Sequence, residues 1–212
     1  MLRNHFKHLI YLSVLTASFQ AQADPLVNLF RAINIDNVST VKALLAEGVD
    51  PNATNPKGQV ALTVAISDGS PKVVAALLAH PAIQVDATNT ANETPLMMAA
   101  LRGDLTSVQA LLARGAAVNR PGWTPLHYAA SGPDNGVAAW LLERGAELEA
   151  QSPNRSTPLM MASRYGPETL ADTLLARGAS TKARNDAGLD AAAFAHLAGR
   201  EALAARLQAA SR

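Results

Sequence analysis

A chain of 212 residues that is 49% hydrophobic but only 4% aromatic takes its apolar content from alanine and leucine. That composition suits closely packed helices better than a barrel or a sandwich. A formal net charge of +1 lacks the concentrated basic face that electrostatic nucleic-acid binding needs. The absence of cysteine removes iron–sulfur sites, cysteine-held zinc, thiol nucleophiles and disulfide frameworks.

Residues 1–23, MLRNHFKHLIYLSVLTASFQAQA, have the three parts of a secretory signal. Arg3 and Lys7 form a basic start, Leu9 to Phe19 an 11-residue mostly apolar run, and Ala21-Gln22-Ala23 a small-x-small cleavage pattern. As a helix the apolar run would extend roughly 16 Å, against a hydrocarbon core of about 30 Å, so it is too short to anchor the chain. Cleavage is expected after Ala23, leaving a soluble periplasmic chain that starts at Asp24 and is not inserted in the membrane. That chain keeps 16 basic and 17 acidic residues, a net of −1.

Beyond the leader, the paired leucines Leu44-Leu45, Leu77-Leu78, Leu111-Leu112, Leu141-Leu142 and Leu174-Leu175, then Leu207, recur at spacings of 33, 34, 30, 33 and 33. Each central pair follows a related segment: ETPLMMAALRGD, WTPLHYAASGPD or STPLMMASRYGP. Repetition at this period signals a solenoid. The spacing assigns six units, about 24–57, 58–90, 91–120, 121–152, 153–184 and 185–212. In each central unit Thr94, Thr124 or Thr157 is placed to cap a first helix, with Pro95, Pro125 or Pro158 at its first position. The small pairs Ala99-Ala100 and Ala129-Ala130 allow close helix approach. Gly69, Gly103 and Gly166 are expected to end first helices in a left-handed conformation, and Gly48, Gly115, Gly145 and Gly178 to end second helices likewise. Val108 with Leu111-Leu112 forms the inward stripe of a second helix. The first unit, with Leu29 and Ala32 at core positions, reads as an N-terminal cap. The second has Val60-Ala61-Leu62-Thr63 in place of TPLH. The last reads as a C-terminal cap with Arg200, Glu201 and Arg206 on its outer side.

TPLH-x-AA, LL-x-x-GA and the 33-residue period together resemble the ankyrin repeat. The resemblance covers about 24–210. It implies an all-α solenoid, a curved stack of helix-turn-helix units with short β-turn fingers along one edge. Two places depart from the pattern. Asn119 to Thr124 is only five residues where other joints have about eight, so the finger around Arg120-Pro121-Gly122 is expected to be stunted. His80-Pro81 replaces a glycine cap, so the second helix of that unit should stop before Pro81.

No catalytic constellation emerges. His80, His127 and His196 fall in three units without ligand spacing, which predicts no metal site. The resemblance gives His127 a structural role, bonding to backbone between repeats. Glu143, Glu147 and Glu149 read as solvated charges, and no nucleophile elbow, phosphate-cradling glycine loop or HExxH helix is present. No cofactor is expected.

The resemblance further implies binding of a protein through the fingers and the concave face of the first helices. Carried over by position, the partner-binding candidates begin with the residue before each TPL: Gln59, Glu93, Trp123 and Ser156. They continue with the residues before the glycine that ends each first helix. These are Ser67 and Asp68, Leu101 and Arg102, Ser131 and Gly132, and Arg164 and Tyr165. Tyr128 holds the concave position that Met98 and Met161 occupy in neighbouring units, while Met97 and Met160 read as core. Trp123 stands out because tryptophan at a freely variable position has little structural reason to be there; covering Tyr128 or the next unit is the alternative. The expectation is a non-enzymatic, monomeric periplasmic module that stabilises an exported enzyme or neutralises an envelope-targeting toxin. A secreted effector that binds a host protein is the alternative.

Overall fold

The computed structural model describes residues 24–211; the expected signal segment and its cleavage site lie outside them. Twelve short helices follow in order: α1 (Pro25–Asn34), α2 (Val38–Ala46), α3 (Ala61–Asp68), α4 (Pro71–Ala79), α5 (Pro95–Arg102), α6 (Leu105–Ala113), α7 (Pro125–Ser131), α8 (Asn135–Glu143), α9 (Pro158–Arg164), α10 (Glu168–Ala176), α11 (Ala191–Leu197) and α12 (Glu201–Ala210). Odd-numbered helices pack on odd, even-numbered on even, and each odd helix on the even helix that follows it. The described residues form no strand; a single bridge joins Thr54 to Val60. None of the described helices is long and apolar enough to cross a membrane.

Helices of seven to ten residues are too short to persist alone in water, so capping and stacking carry them. Thr94 and Thr157 accept the backbone N–H of Met97 and Met160 from the cap position, and Asn37, Asp104 and Asp190 do the same for Thr40, Ser107 and Ala193. Leu77, Leu111, Leu141 and Leu174 are wholly buried. Leu45, Leu112, Leu142 and Leu175 lie only partly buried against the core, so the inward stripe is narrower than the paired leucines suggested. Met97 and Met160 are core residues. Each sulfur accepts the N–H of its capping threonine at 3.4 Å.

Three expectations are corrected. Gly166 is not left-handed, and neither is Gly132. Each precedes a proline, and the proline ring drives the preceding residue toward extended backbone. Glycine is required there for room: a Cβ on Gly166 would come 2.5 Å from the Ala130 carbonyl oxygen, and one on Gly132 2.8 Å from that of Leu101. Gly166→Ala should therefore cost about 1–3 kcal/mol through overpacking. A denaturant midpoint equal to wild type would remove that account. Thr124 caps α7 in a reciprocal box with His127, whose Nδ1 accepts the Thr124 N–H and lies 2.9 Å from its hydroxyl. Arg200 is not an outer solvated charge. Its guanidinium turns under α9 and donates to the carbonyls of Ala162 and Gly166, closing the C-terminal end of that helix. Ser156, a partner-binding candidate by position, is buried at 1% exposure.

Between successive units a ladder of polar bonds runs along the finger edge. Asn52, Asp86, Asn119 and Glu149 accept the backbone N–H of Gln84, Ala117, Glu147 and Ser180. Four fingers are closed by an N–H to carbonyl bond, from Asn55 to Gln59, Asn89 to Glu93, Ser152 to Ser156 and Asn185 to Leu189. Residues 119–124 have no such closure. There Arg120 instead reaches back to the neighbouring finger, donating to the carbonyl and the side-chain oxygen of Asn92 at 3.0 and 2.9 Å.

Candidate concave binding surface

The concave surface follows from a common register. Four residues after the cap positions Val60, Thr94, Thr124, Thr157 and Asp190 stand Val64, Met98, Tyr128, Met161 and Phe194; seven after them stand Ser67, Leu101, Ser131, Arg164 and Leu197. The first row is apolar or aromatic throughout. The second is mixed, and small only at Ser67 and Ser131.

Where Ser131 and Gly132 follow the long side chains of α5, the surface dips into a notch of about 220 Å³ lined by Leu101, Trp123, His127, Tyr128, Ser131 and Met161. Four expected binding residues, Leu101, Trp123, Tyr128 and Ser131, meet here. Trp123 is partly exposed, and its ring lies edge-on to His127 with centroids 5.2 Å apart. It thus forms a wall of the notch, and it does not merely cover Tyr128.

His127 supports the notch from beneath. Its Nδ1 accepts the Thr124 N–H, so Nε2 carries the hydrogen and donates to the Ser156 carbonyl of the next repeat at 2.9 Å. This bond draws Ser156 into the interior. Burial holds the imidazole below its ordinary pKa of 6.5, against the opposing pull of its backbone hydrogen bonds. The neutral ring is therefore the form that the fold requires. Its contribution to stability is complete above 6.5 and is lost as pH falls through the depressed value. His127→Gln should weaken the fold at neutral pH but flatten the loss between about pH 7 and 5. Melting curves of both proteins that fell in parallel over that range would rule this out.

The remaining candidates lie around the notch. Glu93 is partly buried and committed internally: its carboxylate accepts from Asn89 Nδ2 at 2.7 Å and from the Tyr128 hydroxyl at 2.9 Å. Burial and this carboxylate raise the Tyr128 phenol above its ordinary value, so it stays protonated and donates. Gln59 is likewise held, accepting from Asn55 within its own finger. Arg102 is exposed and donates to the Ser67 carbonyl at 2.6 Å. Toward the C-terminal end, the Arg164 guanidinium lies 5.3 Å from the Tyr165 ring centroid and 6.0 Å from that of Phe194. Tyr165 is 53% exposed. Neither Arg102 nor Arg164 has a carboxylate partner among the described residues. The sequence reading passed over Phe194, although the four-after-cap register would have found it. It also missed the hold of Arg120 on Asn92, for which the residue pattern carries no signal.

A family profile described as ankyrin repeats, three copies, matches residues 29–121 and 117–185. Rabankyrin-5 from Mus musculus is 30% identical over 146 residues, covering 66% of this chain and 12% of its own length. The p105 subunit of nuclear factor NF-kappa-B from Gallus gallus is 28% identical over 161 residues, covering 73% of this chain and 16% of its own. The chain thus spans a small part of those relatives. Among solved structures, a complex of a predatory endopeptidase from Bdellovibrio bacteriovorus with its immunity protein matches at a TM-score of 0.72 and 25% identity. That match covers 86% of this chain and 97% of the chain it matches. Motif, register, helix pairing and profile agree: the chain belongs to the ankyrin-repeat family.

Proposed function

We propose that this protein is a non-enzymatic binding module of the bacterial periplasm that occupies and neutralises a hydrolase of the same compartment. The observation that carries the reading is the open concave notch at Trp123, flanked by guanidinium groups that no carboxylate of the described chain neutralises. Tryptophan, tyrosine and arginine are the residue types that most often anchor protein interfaces, and all three are gathered on this face. The likeness to the chain from an endopeptidase–immunity protein complex supports neutralisation over the alternative of stabilising an exported enzyme. The signal-like residues 1–23 support the compartment.

The test is capture from envelope extract with residues 24–212, beside a variant with Trp123, Arg102 and Tyr165 all replaced by alanine. The expected result is a hydrolase retained by the first protein, lost from the second, and inhibited when the purified pair is mixed. A captured enzyme whose activity or lifetime rises on binding would overturn neutralisation in favour of stabilisation. Equal capture by both proteins would move the binding surface elsewhere.

A further inference from the structure

The notch and its surroundings constrain what can enter it, and this further step rests on the binding reading above. Its walls are an indole, a phenol ring, a leucine and a methionine. Two of its polar linings are already spent inward, since Ser131 Oγ donates to the His127 carbonyl at 3.0 Å and His127 is bonded at both nitrogens. The Tyr128 hydroxyl is likewise occupied by Glu93. What the notch offers an incoming group is therefore apolar surface. About 220 Å³ amounts to roughly seven water volumes at ~30 Å³ each, the scale of one large side chain.

At the matching concave positions of the three repeats that line it, the charge has one sign. In the repeats that line the notch, the concave positions seven and eight residues after the caps hold Arg102 and Arg164 and no aspartate or glutamate. Glu93, the nearest acid on the finger side, is held by Asn89 and Tyr128. Arg164 stands in the same row as Leu101 and Ser131, one repeat on, its guanidinium braced over Tyr165 and Phe194. A planar cation already stacked on aromatic rings loses little freedom when it pairs with a carboxylate.

We infer that the partner presents a segment carrying one aromatic or branched aliphatic side chain, which fills the notch, and a nearby aspartate or glutamate, which pairs with Arg164. The apolar anchor supplies affinity by displacing water from a preformed hollow. The carboxylate fixes the direction in which the segment runs across the stack, toward the C-terminal repeats.

The test needs no natural partner. A random twelve-residue peptide library is selected on immobilised residues 24–212, on Ser131→Trp, which fills the notch, and on Arg164→Glu, with melting temperatures confirming that each is folded. The wild-type protein should enrich peptides with a large apolar residue within a few positions of an acid. Arg164→Glu should keep the apolar preference and lose the acidic one by about tenfold, the effect expected for an ion pair at a desolvated contact. Ser131→Trp should lose both. The inference is overturned by selection of basic or wholly polar peptides, by an acidic preference that survives Arg164→Glu, or by no enrichment above a blank surface. Its failure is distinct from that of neutralisation. Selection as described, with no hydrolase captured from envelope extract, sinks neutralisation alone. Capture of a hydrolase undiminished by Ser131→Trp sinks the notch alone.

Discussion

Replacing Leu111 by alanine lowers the unfolding free energy by about 2–5 kcal/mol, the range for deleting a fully buried leucine from a packed core. Leu111 has no solvent exposure. Its helix α6 packs against α5 of its own repeat and against α4 and α8 of the repeats on either side. No single helix can close the space left behind, because the repeats that carry the three neighbours are tied in register by the finger ladder. Leu112→Ala should cost clearly less, as Leu112 is only partly buried. Urea titrations of the two variants decide the matter: equal losses would mean that the inward stripe has been misassigned. Because stability in a stack is a sum of repeat and nearest-neighbour terms, the loss at Leu111 should also broaden the transition by weakening the middle before the ends.

Trp123→Ala is expected to weaken the complex with the captured partner by about 2 kcal/mol or more, roughly thirtyfold in affinity. The chain itself should remain folded. Within the chain the indole's ring contact is an edge-on approach to His127, worth on the order of 1 kcal/mol. Trp123 is a wall of an open hollow rather than a lid over a closed core, so the part of its apolar surface that the chain leaves exposed is free to be buried by a partner. Titration calorimetry with the purified pair reads the effect directly, and affinity unchanged by the substitution would dismiss Trp123 as an anchor. A smaller loss for Arg102→Ala is expected, since that guanidinium already spends a bond on the Ser67 carbonyl.

The solenoid was legible because the central repeats obey the same local rules: a cap, a proline, small residues at the crossing and leucines at helical spacing. Trp123, Leu101 and Tyr128 were legible by the converse logic, as large side chains where the pattern leaves choice. Ser156 was not. Its position is variable in principle; the resemblance gave His127 a backbone bond between repeats, but not that its acceptor is the Ser156 carbonyl, 29 residues on. Gly166 failed differently. The motif glycine was present, but Pro167 beside it changed the conformation, and the reason for glycine became the 2.5 Å approach to the Ala130 carbonyl oxygen. Arg200 was misread because a cation at the start of a final helix resembles surface charge until the open carbonyls of α9 are seen above it.

The short joint at 119–124 has a consequence for how such a chain can be rearranged. Where joints are alike, a segment of one period can be duplicated, deleted or exchanged, and the new junction finds the same partners as the old. Here the junction is private. Arg120 closes on Asn92 across a distance set by the three missing residues, and no other described joint makes that bond. A graft cut at this point would bring together two ends that do not match, so the third and fourth repeats should travel through recombination as one indivisible block, with the notch inside it.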